Sequence, residues 1–292
     1  MKTKYFFSAG FAAIFGFLLF MAACKKENSS QTPAGKQLVT IRINDDPIPD
    51  LTNVWVDVRF VEVKVDTGRK HHEDHDYDDD VDGDDDRHSH DKYGKWDTVK
   101  VTPGVYDLLR FRNGIDTVLA TGFASKGKIH KIRVTLGNDN SVSKDSGITK
   151  IPLSICDNKP YVYVKVESQH IDSTGSNQIR IKLDFDIAKS IKLKDGKYCL
   201  KPQIKSYSDR SSGKIEGKVL PSDALAMPMA YNSFDSSIAK PDHEGEFKIC
   251  GLKPGTYSIR FNPANGYKDS VITGIIVLPG KEVDLHTILL KK

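Results

Sequence analysis

Apolar and polar residues alternate along most of this chain with a period of two, the pattern of strands that bury one face. Leu38-Val39-Thr40-Ile41-Arg42-Ile43 alternates until Asp45-Asp46-Pro47 breaks the run. The longest stretch is Asn53 to Asp66 (NVWVDVRFVEVKVD). There Val54, Val56, Val58 and Phe60 share one face, and Val61, Val63 and Val65 follow on the other parity. A period-two chain changes face only by inserting a residue, so the pattern predicts a β-bulge or bend near Phe60–Val61. Strands are expected from Trp96 to Val101, Val105 to Phe111, Asp116 to Ala120 and Lys128 to Leu136. More follow from Thr149 to Leu153, Tyr161 to Glu167, Gln178 to Phe185 and Lys197 to Ser206, with Gly, Asn, Asp or Pro at the breaks. Ile187 to Ile191 is the one candidate helical turn. Ser208 to Gly213 (SDRSSG) is a polar hinge and an expected site of proteolysis. Beyond it, Ile215 to Val219, Pro228 to Phe234, Glu246 to Ile249, Thr256 to Phe261, Lys268 to Ile276 and Glu282 to Leu290 repeat the strand pattern. Short strands, turn residues between them and no sustained 3.6-residue period predict an all-β protein of two β-sandwich domains in tandem.

The first residues follow a different rule. Lys2 and Lys4 precede a mostly apolar run from Tyr5 to Phe20, closed by Met21-Ala22-Ala23-Cys24. This is the layout of a secretory signal peptide. The competing reading is a transmembrane helix, since the run is almost long enough to span a bilayer. The cysteine directly after two small residues makes the stretch resemble a bacterial lipoprotein signal. That resemblance implies removal of residues 1–23 and lipidation of Cys24, and it places the protein in the cell envelope, held by lipid to the outer membrane on its surface or periplasmic face. Residues 24–36 then form a lipidated tether, polar and containing Gly and Pro. The twelve residues from Lys25 to Lys36 reach roughly 40 Å at ~3.3–3.6 Å each. Lys25-Lys26-Glu27 resembles the charged export tags of surface lipoproteins in Bacteroidetes-type bacteria.

Two further resemblances follow from motifs. Val54 to Val65, Tyr106-Asp107-Leu108-Leu109, Lys131-Ile132-Arg133, Leu183-Asp184-Phe185-Asp186, Lys189-Ser190-Ile191 and Tyr198 to Ile204 stand in an order similar to the domain-of-unknown-function family 4382 of bacterial lipoproteins. The likeness covers residues 37–207 and implies a boundary and a fold, with no chemistry. After the hinge at 208–213, residues 214–292 resemble the carboxypeptidase regulatory-like domain, a small transthyretin-like sandwich. Gly217-Lys218-Val219, Gly245-Glu246-Phe247, Gly251-Leu252-Lys253-Pro254-Gly255-Thr256-Tyr257, Gly266-Tyr267 and Leu278-Pro279-Gly280 carry that likeness. Such domains are carbohydrate-binding-like in shape, and shape alone gives no function.

Charge sharpens the picture. The net charge of +4 hides a hairpin insert, His71 to Asp91, with eleven acids and one arginine; that segment carries −10 and the rest of the chain +14. The basic residues are spread along strands with no dense run, so they read as solvated strand faces, and nucleic acid is not expected as a partner. The insert holds five of the nine histidines. Asp78, Asp80, Asp82, Gly83, Asp84 and Asp86 match the first, third, fifth, sixth, seventh and ninth places of a calcium loop. Ser89 stands at the twelfth place where a bidentate glutamate belongs, and flanking helices are missing. His71, His72, His75, His88 and His90 bracket the acids and suit zinc or copper. The insert therefore reads either as a Ca- or Zn-binding segment or as a solvated loop of like charges.

Of the four cysteines, Cys156 and Cys199 are the preferred disulfide, since both fall in the first domain; the alternative is that Cys156, Cys199 and Cys250 are small buried hydrophobes. Asp184 and Asp186 lie two apart on one strand face but have no companion nucleophile or base, and Asp186 suits the cap of the turn at Ile187. His243-Glu244 lacks a second histidine. Nucleophile elbow, phosphate loop and dinucleotide fingerprint are all missing, so no enzyme is expected. Trp55, Trp96, Tyr161, Tyr163 and Tyr267 would stack on sugars if exposed, although strand aromatics usually pack in a core. The leading expectation is a non-catalytic binding or adhesion module with a glycan or envelope protein as partner. A periplasm-facing assembly component and a metal-capturing lipoprotein are the alternatives.

Overall fold

The structure, a computed structural model, describes residues 32–48, 50–68, 94–194 and 196–292. Cys24, the signal stretch and the insert 71–91 lie outside the described residues. In chain order the first part contains β1 (Lys36–Asp46), β2 (Asn53–Asp66), β3 (Lys95–Val99), β4 (Gly104–Asp107), β5 (Thr117–Ser125), β6 (Lys128–Leu136), β7 (Ser141–Ser143), β8 (Ile151–Pro152), β9 (Ser154–Ile155), β10 (Tyr161–Lys165), β11 (Ile171–Gly175), β12 (Gln178–Asp186), the short turn α1 (Ile187–Ser190), β13 (Ile191–Lys194), β14 (Lys197–Leu200) and β15 (Ile204–Tyr207). One sheet has the order β11-β12-β1-β5, with β15 also on β12. The larger sheet runs β10-β6-β2-β7-β8, with β3 and β4 also on β2. The inner faces of both sheets form one core, to which β1 gives Val39, Ile41 and Ile43, β2 gives its valines, and β12 gives Ile181, Leu183 and Phe185. A small sheet, β13-β14-β9, lies beside Cys156 and Cys199, which are joined as a disulfide.

The bulge in β2 is present. Val58 pairs with Leu136 and Phe60 with Thr135, so Arg59 is the extra residue. Its guanidinium turns back to the fully buried Asp57, Nη2 to Oδ2 at 2.6 Å. The change of face falls one residue earlier than the apolar pattern indicates. Phe60, expected in the core, points outward with 57 % exposure. Gly137 is fitted to this corner, because a Cβ there would stand 2.0 Å from Asp57 Oδ2.

Other departures have local causes. The strand expected through Phe111 stops at Asp107, and a 3-10 turn, Leu108–Arg110, buries both leucines; adjacent strand residues point to opposite faces and could not both do so. The strand expected from Lys197 to Ser206 splits into β14 and β15 around Pro202, which has no N–H for a ladder. The polar β7 and β11 carry too few apolar residues to be seen by alternation. Asp186 caps α1, its carboxylate accepting from the Lys189 backbone N–H at 2.9 Å.

The second part holds β16 (Gly213–Leu220), β17 (Met227–Tyr231), β18 (Ser236–Ile238), β19 (Glu246–Leu252), β20 (Gly255–Asn262), β21 (Ser270–Val277) and β22 (Glu282–Leu289). They form sheets β19-β16-β22 and β18-β17-β20-β21 around a separate core of Ile215, Phe247, Ile249, Tyr257, Ile259, Phe261 and Ile275. The protein is thus all-β, with two β-sandwiches in tandem, and Pro33–Lys292 make one compact unit.

The stretch between the sandwiches is held rather than loose. Ser208 and Ser212 are buried. The Ser208 hydroxyl donates to the Gln169 carbonyl at 2.8 Å, and the Ser212 carbonyl accepts from the Gly280 N–H at 2.8 Å. Asp209 takes Lys182 of β12 at 2.6 Å and Lys214 of β16 at 3.1 Å. Composition reads this stretch as a hinge; its serines instead satisfy backbone groups of both sandwiches.

Candidate binding face

The outer face of the larger sheet is set by strand register. Trp96 of β3 lies opposite Lys64 of β2, Lys64 opposite Lys131 of β6, and Lys131 opposite Lys165 of β10. The neighbouring row reads Thr98, Glu62, Arg133, Tyr163, and the next Phe60, Thr135, Tyr161. All belong to one face because side chains alternate along each strand, and the residues between them fill the core. The bulge at Arg59 is what adds Phe60 to this face.

The side chains interlock diagonally. Trp96 and Tyr163 ring centroids lie 6.0 Å apart and tilted by 38°, and those of Tyr161 and Tyr163 lie 5.4 Å apart, tilted by 57°. The Arg133 guanidinium stands over the Trp96 ring at 4.8 Å and the Lys131 ammonium over Tyr163 at 5.4 Å, both cation–π contacts. Glu62 accepts from Arg133 Nε at 2.6 Å and Nη2 at 2.7 Å. That bidentate bond is the main reason the guanidinium is held above its ordinary pKa; burial works against it. Tyr161 is 39 % exposed, and Trp96 and Tyr163 are half-buried. The expectation that these strand aromatics lie in the core is therefore corrected: they pack on each other outside it. Four cations stand here with Glu62, and Glu167 lies at the rim, 3.9 Å from Lys165.

A concavity of about 1220 Å³ lies between the sandwiches and is lined in part by Trp55, Arg110, Asn113, Lys248 and His286. Cations and carboxylates are mixed along its wall. Lys248 lies 2.7 Å from both Glu216 and Glu282; burial opposes its charge, but the two carboxylates outweigh that and raise its pKa. Asn113 crosses the gap to donate to the Lys240 carbonyl at 2.9 Å.

The other candidates are placed as follows. Trp55 carries Lys150 over its ring at 4.7 Å, and the Tyr267 hydroxyl bonds Asp223. Asp184 is buried and accepts from Asn44 Nδ2 at 3.3 Å, with Lys205 Nζ 3.3 Å away; burial raises its pKa, and Lys205 offsets that in part. Asn44 in turn accepts from the Tyr207 hydroxyl at 2.8 Å, so Asp184 serves a buried network beside the junction of the sandwiches. Exposed His243 lies 3.8 Å from Glu244. The proposed metal ligands of the insert, His71 through His90, and the lipidation residue Cys24 lie outside the described residues. Among the described residues no group of three or more His, Cys, Asp or Glu is arranged to hold a metal ion, and no helix is long and apolar enough to cross a membrane. The face is not legible as a unit in the sequence, since it depends on the register of strands up to 101 residues apart; Trp96, Tyr161 and Tyr163 are the trace it leaves there.

The fold is an all-β tandem of β-sandwiches whose larger sheet turns a basic and aromatic face outward. The chain belongs to the family described as Domain of unknown function (DUF4382), whose pattern matches residues 36–202. No curated protein matches it. Solved structures similar to parts of it include a type II cohesin–X-dockerin complex from Acetivibrio cellulolyticus, at 23 % identity and TM-score 0.23, covering 27 % of this chain and 56 % of that one. The Bacillus anthracis TIE protein matches at 12 % identity and TM-score 0.24, over 88 % of this chain and 34 % of that one. The shaft pilin SpaA of Lactobacillus rhamnosus GG matches at 10 % identity and TM-score 0.21, over 87 % and 98 %. The chain thus spans about half the length of the cohesin–dockerin chain, and scores this low carry no argument about function.

Proposed function

We propose that this protein is a lipid-anchored component of the cell envelope that binds carbohydrate without catalysis, through the outer face of β3, β2, β6 and β10. The observation that carries the reading is the set Phe60, Trp96, Tyr161 and Tyr163 on one sheet face outside the core. Aromatic side chains kept in contact with water leave apolar area free for the C–H faces of sugars, with hydroxyls and charges beside them for orientation. The envelope location rests on the Met21-Ala22-Ala23-Cys24 motif. The second sandwich is read as the carboxypeptidase regulatory-like domain and serves as a rigid extension of the first.

The test is a glycan array probed with the purified full-length chain, alongside Trp96→Ala and Tyr161→Ala. Binding that both substitutions reduce supports the reading. Binding to no glycan, or binding that neither substitution changes, overturns it. For the anchor, fatty-acid labelling of cells should mark the wild type and leave Cys24→Ser unlabelled.

A further inference from the structure

The same face carries more information than its rings. Lys64, Lys131 and Lys165 stand side by side in one register row across β2, β6 and β10, with Trp96 at the end of the row. Neighbouring strands are about 4.8 Å apart, so the three side chains leave the sheet within roughly 10 Å of one another. Lys165 is 82 % exposed in its side chain. The fourth cation, Arg133, is fixed by its bidentate bond to Glu62 and stands over the Trp96 ring. A neutral sugar requires no such row, whereas a polymer with a carboxylate on successive residues matches it by charge.

Resting on the carbohydrate-binding reading above, we infer that the ligand of this face is an anionic polysaccharide, a polyuronate in chemical class. Its carboxylates meet the lysine row, and its sugar rings lie along Trp96, Tyr163, Tyr161 and Phe60. The rings decide against a single-stranded nucleic acid. Successive bases stack on flat aromatic faces, but these rings are tilted by 38° and 57° to one another. Two of them also share their faces with Arg133 and Lys131. Puckered sugar rings tolerate such tilts and need only part of each ring.

The experiment is titration calorimetry of the full-length chain with polygalacturonate, with the same polymer fully methyl-esterified, and with a poly-dT oligonucleotide. Esterification removes the charge and leaves the sugar backbone. The expected result is binding to polygalacturonate at least about tenfold tighter than to the ester, with an affinity that falls as salt rises. The variant Lys64→Gln/Lys131→Gln/Lys165→Gln should lose about tenfold toward polygalacturonate and clearly less toward the ester. Lys165→Gln alone, at an exposed position, provides a fold-safe check in the same direction. Equal affinity for acid and ester overturns this inference and leaves the carbohydrate reading standing. Tighter binding to poly-dT overturns it in favour of nucleic acid. Failure to bind polygalacturonate overturns it whatever the array shows, and an array without any hit removes the carbohydrate reading as well.

Discussion

Lys182 offers the most direct test of how the two sandwiches are held. Its ammonium lies 2.6 Å from Asp209 Oδ2 and 3.0 Å from Asp116 Oδ2, and its side chain is only 12 % exposed. Asp209 also reaches Lys214 of the second sandwich at 3.1 Å. Breaking a fully buried pair costs about 3–5 kcal/mol and an exposed one about 0.2–1. This arrangement lies between those limits, so Lys182→Met should destabilise the chain by about 2 kcal/mol. A double-mutant cycle with Asp209→Asn should return a coupling of about 1 kcal/mol, read by urea denaturation. Limited proteolysis adds the location: Lys182→Met should speed cleavage within Ser208–Gly213 relative to the wild type. The pH dependence has a defined sign. Burial alone would raise the pKa values of Asp209 and Asp116, but hydrogen bonds and charge from Lys182, with Lys214 at Asp209 and Arg42 at Asp116, outweigh it and leave both lowered. Their contribution is complete above the unfolded value of 3.8 and is lost as pH falls through the lower folded values. The gap between wild type and Lys182→Met should therefore be constant near neutrality and close on acidification below about pH 4. A coupling below about 0.3 kcal/mol, with unchanged cleavage between the sandwiches, would refute the idea that this network holds the junction.

Other consequences are equally direct. Cys156→Ser/Cys199→Ser opens a loop of 43 residues, which by loop entropy should lower stability by about 4 kcal/mol in denaturant titrations under oxidising conditions; no difference from wild type would count against the disulfide. Cys250 is free and buried, and burial pushes its thiol up to about 11, so alkylation at pH 8 should be slow in the native chain and fast in urea. Gly137→Ala places a Cβ 2.0 Å from Asp57 Oδ2 and 2.5 Å from Arg59 Nε. It should destabilise by about 3 kcal/mol through overpacking and disturbance of a buried charge, a loss visible in the urea midpoint.

The alternation of the chain was enough to read the all-β class and most long strands, because each of those strands buries one face. Lys128–Leu136 is an example in which pattern and structure agree at both ends. The bulge was legible from a change of parity, but its position was not. The extra residue is chosen by the Arg59–Asp57 ion pair and by the space that Gly137 leaves, neither of which has a period. Short polar strands such as Ser141–Ser143 escaped notice because hydrogen bonds hold them: the Ser143 hydroxyl donates to Asp145 at 2.6 Å. The junction misled for the same reason, since serines that cap buried backbone look like those of a flexible linker. The candidate face is half visible in the sequence: Trp96, Tyr161 and Tyr163 stand out one by one and Phe60 does not, and only the pairing of β3, β2, β6 and β10 brings them and the lysines together.

One pairing in the first sandwich bears on how the molecule is made. β1 lies between β5 and β12, and its parallel partner begins with Leu38 opposite Gln178, a separation of 140 residues. During synthesis β1 emerges early, yet one of its two edges has no mate until most of the first sandwich exists. Contacts this distant in sequence slow folding, and an open strand edge invites other chains meanwhile. A nascent chain that halts before Gln178 therefore carries a ready template for aggregation, and one that continues past Asp186 buries it. Among the described strands, the first to appear is among the last to be completed.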